Sequence, residues 1–251
     1  MKTLLRFGIL QIQCCLFPAV IFSTLAITKY IPLPLLPRYD LILLVCILTQ
    51  VLMVLMKFET LDELWIICLF HIIGLILEIF KTHMGSWTYP EFSYAKIASV
   101  PLYSGFMYAS VAGYVCQACR RLRLTFSGWP HTCITFPLIC AIYANFFTHH
   151  FIYNFRWIIL AATVLVFIKT HVQFCVGASK HKMPMSIAFL LVGAAIWVAE
   201  NISTFFSAWV YPVQEKVWRI VPVEKIISWF LFALIAIVLV VNLKHLRKQE
   251  S

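Results

Sequence analysis

The 251-residue chain is 62% hydrophobic and 12% charged, with a mean hydropathy of +0.90. Soluble domains are about half apolar and about a quarter charged, so this chain has too little polar surface to cover a water-soluble core. Composition excludes a soluble enzyme, a disordered chain and a disulfide-stapled secreted module, and indicates a multi-pass membrane protein. We assign the formal charge of +10 to basic residues that flank membrane segments and face lipid headgroups, not to nucleic-acid binding.

Eight apolar stretches come close to the ~20 residues that a helix needs to cross the hydrocarbon core. In chain order they are Leu5–Ile27, Leu41–Met56, Leu64–Phe80, Ala98–Ala118, Thr132–Thr148, Trp157–Val176, Ser186–Phe206 and Ile226–Leu243. The second stretch is short and the fifth ends in a polar cluster, so seven spans is the alternative. The prediction is an all-α, polytopic membrane bundle of about eight transmembrane helices.

The distribution of basic residues near the span ends predicts the orientation. The side that holds both termini carries the larger number, so both termini are expected in the cytoplasm. The first stretch also resembles a signal peptide that ends at Thr24-Leu25-Ala26. An internal repeat argues against its removal, because this stretch has a counterpart later in the chain.

The internal repeat is the strongest pattern in the sequence. The segments Glu78–Pro90 and Glu200–Pro212 both read Glu-x8-Trp-x-Tyr-Pro, and the same displacement brings each of the first four stretches close to one of the last four. We predict two tandem four-helix repeats, residues 1–124 and 125–251. Because four is an even number, the repeats are expected to be related by an axis along the membrane normal, with both Trp-x-Tyr-Pro segments on the outer side.

The repeat places one acid at an equivalent depth in each unit, Glu78 and Glu200. An intramembrane carboxylate is energetically costly and indicates a functional site, so both residues are candidate catalytic acids or bases. The aromatic residues of the two segments are candidate substrate contacts, with an interfacial aromatic belt as the alternative. These aromatic residues are Trp87, Tyr89, Trp209 and Tyr211.

Further polar residues inside the predicted spans are candidate substrate contacts. They are His71, Lys81, Tyr103, Asn145, His149 and Lys169. Lys169 is expected to face the interior, toward an acid such as Glu200, because an unpaired ammonium in mid-span is costly. The histidines lack the repeated spacing that places several imidazoles on one helical face, so no metal and no other cofactor is predicted. Nucleotide-binding and serine-hydrolase motifs are also absent from the sequence.

The run from Phe80 through Tyr114, which includes Lys81–Glu91 and Pro101–Tyr108, resembles the bacterial integral membrane family called domain of unknown function 817. The resemblance covers nearly the whole chain. It implies a multi-pass protein of the bacterial inner membrane and carries no activity with it.

A more distant similarity is to the membrane lycopene cyclase domain of carotenoid biosynthesis. The matching parts are the turn Gly85-Ser86-Trp87-Thr88-Tyr89 and the helix start Pro222-Val223-Glu224. In that family, paired acids are thought to protonate a polyene and steer the carbocation. The resemblance extends the acid role to Glu224, while Pro101-Leu102 is followed by Tyr103 and Ser104 instead of acids.

Three functions fit these patterns. The first is a membrane enzyme that uses Glu78, Glu200 and Glu224 as acid/base groups on an isoprenoid or other lipid. The second is a small-solute or proton-coupled transporter with charged residues between two parallel repeats, and the third is a structural or sensory subunit. The expected partners are the lipid bilayer and a lipid-like small molecule, and nucleic acid is not expected. The sequence does not indicate an oligomeric state.

Overall fold

The computed structural model describes residues 2–31 and 36–250, most of which are helical. In chain order, the helices of this part of the chain are α1 (Lys2–Cys14), α2 (Leu16–Tyr30), α3 (Arg38–Leu55), α4 (Leu61–His83), α5 (Tyr103–Arg121), α6 (Thr132–Thr148), α7 (Arg156–Val166), α8 (Met185–Phe205) and α9 (Lys225–Glu250). Its strands are β1 (Lys96–Ile97), β2 (Val100–Pro101), β3 (Thr125–Ser127), β4 (His171–Val176) and β5 (Ser179–Pro184). A single 3-10 turn in the described chain covers Pro212–Gln214.

Four of the described helices are long and apolar enough to cross a bilayer, namely α3, α4, α8 and residues 225–242 of α9. Helices α1 and α2 meet the same test only as a pair, which gives up to five candidate spans. Helices α6 and α7 are apolar but shorter. The predicted helical membrane bundle is therefore confirmed at this level, with four or five candidate spans by length and composition.

The prediction of a sixth helical span over Trp157–Val176 is wrong in its second half. Helix α7 ends at Val166, and after a turn the chain continues as β4. In β4, polar or small side chains at positions 171, 173 and 175 alternate with apolar ones at 172, 174 and 176. That period of two is typical of a strand with one buried face. Hydropathy alone does not distinguish the 3.6-residue period of a helix from the two-residue period of a strand, so the apolar content of this segment favoured a helix.

The chain forms two compact, discontinuous units. The first unit comprises Met1–Cys14, Tyr114–Trp197 and Pro222–Ser251, and the second comprises Cys15–Gly113 and Val198–Val221. Each unit therefore takes segments from both sides of residue 124. The predicted boundary at residue 124 separates two similar stretches of sequence and does not define compact units, and it stays a prediction.

Helix α9 forms the centre of the first unit. Its residues are buried without interruption from Phe230 to Val238, and α6 and α7 both contact it. Gly193 of α8 allows close approach, because a Cβ at this position would lie 2.7 Å from the backbone nitrogen of Phe230. The antiparallel sheet β3-β4-β5 belongs to the same unit, and its middle strand contacts α1.

The second unit contains the paired helices α2 and α3, helix α4, and the hairpin of β1 and β2. Asp40 of α3 fixes the chain before the hairpin. Its carboxylate accepts hydrogen bonds from the Ser93 hydroxyl at 2.7 Å and from the backbone N–H groups of Tyr94 and Ala95 at 2.8 and 2.9 Å. The long segment between α4 and α5 is therefore tied to α3.

The β1–β2 hairpin turns through two non-glycine residues, Ala98 and Ser99, at φ of 48° and 69°. A two-residue turn with positive φ at both positions favours Asn-Gly, because side chains other than glycine are strained there. We expect Ser99→Gly to raise the free energy of unfolding by about 0.5–1 kcal/mol, measured by thermal unfolding in detergent. The matched control is Ser179→Gly in strand β5, which should lower it by a similar amount. A shift in the same direction for both variants would contradict this explanation.

Candidate functional site

Glu78 is held by three side-chain donors. It lies in the last turns of α4 with 3% of its surface exposed. Its Oε2 accepts hydrogen bonds from Trp87 Nε1 and from the Tyr89 hydroxyl, each at 2.7 Å, and its Oε1 accepts one from the Tyr108 hydroxyl at 2.6 Å. The chain reverses after α4, so that Trp87 and Tyr89 return to the helix end. The predicted acid and both aromatic residues of its segment therefore form one contact group.

Glu200 of α8 is also buried, with 3% exposed, and its Oε1 accepts a hydrogen bond from the Tyr211 hydroxyl at 2.5 Å. The tyrosine follows the glutamate by the same number of residues as Tyr89 follows Glu78. The Trp87 indole meets the Tyr211 ring edge-on, with ring centroids 5.7 Å apart. The structure thus connects the two predicted acids through aromatic side chains. We call Glu78, Trp87, Tyr89, Tyr108, Glu200 and Tyr211 the carboxylate cluster.

Backbone hydrogen bonds join the two Trp-x-Tyr-Pro segments directly. Thr88 N–H donates to the Val210 carbonyl and Val210 N–H donates to the Thr88 carbonyl, both at 2.9 Å. These two residues form an antiparallel bridge, and each occupies the same position in its segment, between the tryptophan and the tyrosine. A reciprocal contact between equivalent positions is what a two-fold relation produces.

The end of α4 is a Schellman motif, in which the last carbonyls are capped by the following backbone. Ser86 N–H donates to the Lys81 carbonyl and Gly85 N–H to the Thr82 carbonyl, both at 3.0 Å. Gly85 provides the required left-handed backbone, with φ of +68°. This reversal directs Trp87 back toward Glu78.

The end of α8 has the same pair of hydrogen bonds at the equivalent positions. Ala208 N–H donates to the Ser203 carbonyl at 2.9 Å and Ser207 N–H to the Thr204 carbonyl at 3.0 Å. Here a serine, Ser207, takes the left-handed position at φ of 58°. The two segments therefore share their cap geometry as well as their acid–tyrosine contact.

The remaining predicted residues of the second unit lie near these segments. The buried hydroxyl of Tyr103 donates to the Ala208 carbonyl, and its ring lies 6.2 Å from that of Tyr89. Lys81 and Trp209 are also buried, with 7% and 8% exposed. All the residues predicted on the first acidic segment, and most of those on the second, thus belong to one buried region.

His71 packs against α5 instead of contacting an acid. A Cβ on Gly105 would lie 2.7 Å from His71 Nδ1, so the absence of a side chain at Gly105 makes room for the imidazole. The ring also meets Phe106 edge-on at 4.6 Å. Within the described residues, His71 Nδ1 has no hydrogen-bond partner, and its predicted role in substrate contact stays a prediction.

The absence of a side chain at Gly74 makes room for Tyr108, because a Cβ on Gly74 would overlap the Tyr108 ring. We expect Gly74→Ala to displace Tyr108 from Glu78 and to lower the free energy of unfolding by about 1–3 kcal/mol. The matched control is Gly8→Ala in α1, where a Cβ meets no atom within 4 Å, and which should stabilise by about 0.5–1 kcal/mol. Thermal unfolding of both purified variants checks this, and a stabilising Gly74→Ala would refute it.

Four predicted residues belong to the first unit. Glu224 is exposed over 69% of its side chain and forms an ion pair with Arg156 at 2.8 Å. The acid role predicted for Glu224 needs a buried carboxyl group, and this one faces solvent. The prediction that Lys169 lies inside a helix and faces the interior is wrong, because Lys169 is exposed in the turn before β4.

Asn145 and His149 stabilise the turn after α6. The Asn145 Oδ1 accepts a hydrogen bond from the Phe155 N–H at 3.0 Å, and its Nδ2 donates to Asn154 Oδ1 at 3.2 Å. His149 Nδ1 lies 2.8 Å from the Asn145 carbonyl oxygen. These contacts explain both polar residues by the local structure, so substrate contact is not needed to account for them.

Two residues of the region were not predicted. Tyr108 is the third donor to Glu78, and the only sequence signal for it is the small residue Gly74 on the facing helix.

Arg38 is the second residue that was not predicted. Its guanidinium forms an ion pair with Glu91 at 2.5 Å and donates to the carbonyls of Leu25, Phe206 and Ser207 at 3.2, 2.5 and 3.3 Å. No local pattern in the sequence distinguishes it from the other basic residues near span ends.

The tyrosines of the two segments remain neutral hydrogen-bond donors. Burial, and then the neighbouring Glu78 carboxylate, raise the pKa of Tyr89 well above 10. Burial and then Glu200 raise the pKa of Tyr211 well above 10 in the same way. Both hydroxyls therefore keep their protons at physiological pH, and each is available to donate to its glutamate.

The carboxylate cluster combines two proton acceptors with neutral donors and aromatic rings. Such a set can hold a proton, orient a carboxyl group, or stabilise positive charge on a ring face. In the described residues, groups of three or more His, Cys, Asp or Glu side chains placed to hold a metal ion are not found.

The solved structures that this chain resembles are membrane proteins of the Insig type. A mycobacterial Insig homolog, MvINS from Mycobacterium vanbaalenii, has a TM-score of 0.51 at 12% identity, covering 72% of this chain and 93% of that chain. A cross-linked trimer of MvINS has the same TM-score at 13% identity, with the same coverage. At this level of identity the similarity establishes a shared fold alone. The lycopene cyclase similarity stays a prediction.

A curated relative covers almost the whole sequence. It is "Uncharacterized protein YoaT" of Bacillus subtilis (strain 168), which is 51% identical over 249 residues, 99% of this chain and 94% of that protein. The family described as "Protein of unknown function (DUF817)" matches residues 3–237. This match confirms the resemblance predicted from the run around Trp87. The chain is therefore a membrane protein that belongs to the DUF817 family.

Proposed function

We propose that this protein is a membrane enzyme in which Glu78 and Glu200 act as the acid and the base on an isoprenoid or other lipid substrate. The observation that carries the proposal is that both carboxyl groups lie in one buried cluster, connected through the edge-on contact of Trp87 and Tyr211. Two acids in one site fit proton donation and proton removal on the same molecule.

The reaction class is a proton-initiated rearrangement. One carboxyl group donates a proton to a carbon–carbon double bond, which leaves a carbocation, and the other carboxylate removes a proton from a neighbouring carbon. The product is an isomer of the substrate, and no oxidant or reductant is consumed. The rings of Trp87, Tyr89, Trp209 and Tyr211 would stabilise the cation. We also propose Lys81, His71 and Tyr103 as substrate contacts.

We further propose that residues 1–124 and 125–251 are tandem repeats of one unit with four apolar segments. The matching Schellman motifs, the matching acid–tyrosine contacts and the reciprocal Thr88–Val210 bridge support this proposal. The sixth apolar segment then consists of helix α7 followed by strand β4. In the topology that we propose, the chain lies in a bacterial inner membrane with both termini in the cytoplasm.

A proton-coupled or small-solute transporter is the second candidate function. One observation favours it, namely that the first apolar segment is divided at Cys15 into α1 and α2, which pass the length test only as a pair. Interrupted spans are typical of transporters, where the exposed backbone ends bind the solute.

The decisive experiment compares the lipids and pigments of cells with and without the gene. The gene is restored as wild type, as Glu200→Gln, or as Glu224→Gln, the last being the control because Glu224 is exposed. An enzyme predicts that a precursor accumulates in the deletion and in Glu200→Gln, but not in wild type or Glu224→Gln. Identical extracts from all strains would refute the enzyme. A proton-driven flux in proteoliposomes that Glu200→Gln abolishes would then support the transporter.

A further inference from the structure

The sheet of the first unit has one polar face. Side chains of directly paired residues in an antiparallel sheet lie on the same side, and the register pairs Thr125 with Gln173, Gln173 with Lys182, and Ser127 with His171. Lys180 is two residues before Lys182 and therefore shares its side. We call the polar residues of this side, which also holds Cys175 and Pro184, the basic sheet face. They are Thr125, Ser127, His171, Gln173, Lys180 and Lys182.

The opposite side of the sheet is mostly apolar and packs against other residues of the unit, although it also carries Ser179 and His181. Phe174 contacts a cluster of buried residues from α1 and α5 that includes Cys14 and Leu122, and its ring lies 5.8 Å from that of Phe7. The sheet is therefore oriented by its apolar side, and the basic sheet face points away from that core. Lys180 and Lys182 are exposed.

The chemistry of the basic sheet face is that of an anion site. It presents two ammonium groups, an imidazole, an amide and two hydroxyls, all of which can donate hydrogen bonds. In the part of the chain that the structure describes, neither Lys180 nor Lys182 forms a salt bridge. Acidic residues are also missing from the surrounding sequence, since no Asp or Glu occurs between Glu91 and Glu200. Nothing in that long stretch neutralises the two lysines.

The position of the sheet beside a candidate membrane span favours a lipid headgroup as the anion. Strand β5 ends at Pro184 and the candidate span α8 begins at Met185, without an intervening loop. Lys182 is thus three residues from the first residue of a membrane helix, or about 10 Å of extended chain. Strand β3 begins four residues after α5 ends at Arg121. A face this close to the start of a candidate span is expected at the depth of the lipid headgroups.

We propose that the basic sheet face binds the phosphate headgroups of acidic phospholipids, and that this contact is specific to the sheet instead of a general property of the basic chain. Lys180 and Lys182 would supply the charge, and the hydroxyl and amide groups of Thr125, Ser127 and Gln173 would hold the phosphate oxygens. This inference is independent of the proposed function, because the carboxylate cluster belongs to the other unit.

The test measures lipid-dependent stabilisation of the full-length protein in detergent. Phosphatidylglycerol is titrated against the thermal unfolding midpoint, with phosphatidylcholine and inorganic phosphate as separate titrations. We expect a saturable rise with phosphatidylglycerol only, and a half-saturating concentration at least about tenfold higher in the Lys180→Gln/Lys182→Gln variant. The Lys180→Arg/Lys182→Arg variant should bind like wild type.

The matched control is Lys216→Gln/Arg219→Gln, which removes two exposed basic residues of the second unit. It should leave the titration unchanged. An equal loss in this control would show that net charge alone attracts the lipid, and would overturn the proposal. An equal rise with phosphatidylcholine, or with inorganic phosphate at the same concentration, would also overturn it, in the latter case because the ligand is a free anion.

Discussion

Glu78→Gln is expected to leave the protein folded and to reduce product formation at least about 100-fold. The glutamine oxygen can replace Oε2 as the acceptor for Trp87 and Tyr89. The glutamine NH2 group can replace Oε1 and donate to the Tyr108 hydroxyl oxygen, which is able to accept. All three hydrogen bonds therefore survive, while the exchangeable carboxyl proton is lost. The measurement is the lipid extract of the complemented deletion strain, together with the unfolding midpoint of the purified variant.

The variant Glu78→Leu measures how much Glu78 contributes to the stability of the fold, apart from any catalytic role. The leucine leaves Trp87, Tyr89 and Tyr108 buried without their acceptor, and each unsatisfied buried donor costs about 1–3 kcal/mol. We expect the free energy of unfolding to fall by at least about 3 kcal/mol. If Glu78→Gln unfolds as readily as Glu78→Leu, the loss of product says nothing about acid–base chemistry. If Glu78→Gln is folded and active, Glu78 is a structural acceptor and the proposed mechanism fails.

Arg38→Met is expected to destabilise the second unit by about 3 kcal/mol. The side chain of Arg38 is 11% exposed, and besides its ion pair with Glu91 it donates to the backbone carbonyls of Leu25 in α2 and of Phe206 just after α8. Removing it takes a charged donor away from the Leu25 and Phe206 carbonyls and from the Glu91 carboxylate. The unfolding midpoint in detergent measures the effect.

The matched control for Arg38 is Arg156→Met. The Arg156–Glu224 pair is exposed, at 27% and 69% of the two side chains, and exposed pairs contribute less than about 1 kcal/mol. The expected order is therefore a large loss for Arg38→Met and a small one for Arg156→Met. Equal losses would mean that burial of the guanidinium is not the cause.

Local patterns predicted much of this structure because they depend on residues close in sequence. Helix α6 has the bounds predicted for the fifth segment, since a mostly apolar run between His131 and His149 fixes both ends. The contact of Glu78 with Tyr89 follows from a short spacing and a glycine turn. The end of the sixth segment was mispredicted, because strand β4 follows an apolar helix after a short turn and still has an apolar residue at every second position.

Contacts between distant segments were the part that sequence could not provide. Tyr108 reaches Glu78 only because Gly74 leaves room on the facing helix. Arg38 and Phe206 lie far apart in the chain and meet through the packing of α8 against the start of α3 within one unit. Spacing along the chain contains no information on either contact.

The Thr88–Val210 bridge has a consequence for the origin of the protein. If the two segments descend from one, a half-length ancestor had only a single copy of the segment, with its backbone donor and acceptor at position 88 unfilled. A second molecule of the same kind would have supplied both partners, in the reciprocal manner of a symmetric dimer. On that proposal, duplication and fusion of the gene would have made the association permanent and let the two copies diverge, to a glycine at one left-handed turn and a serine at the other.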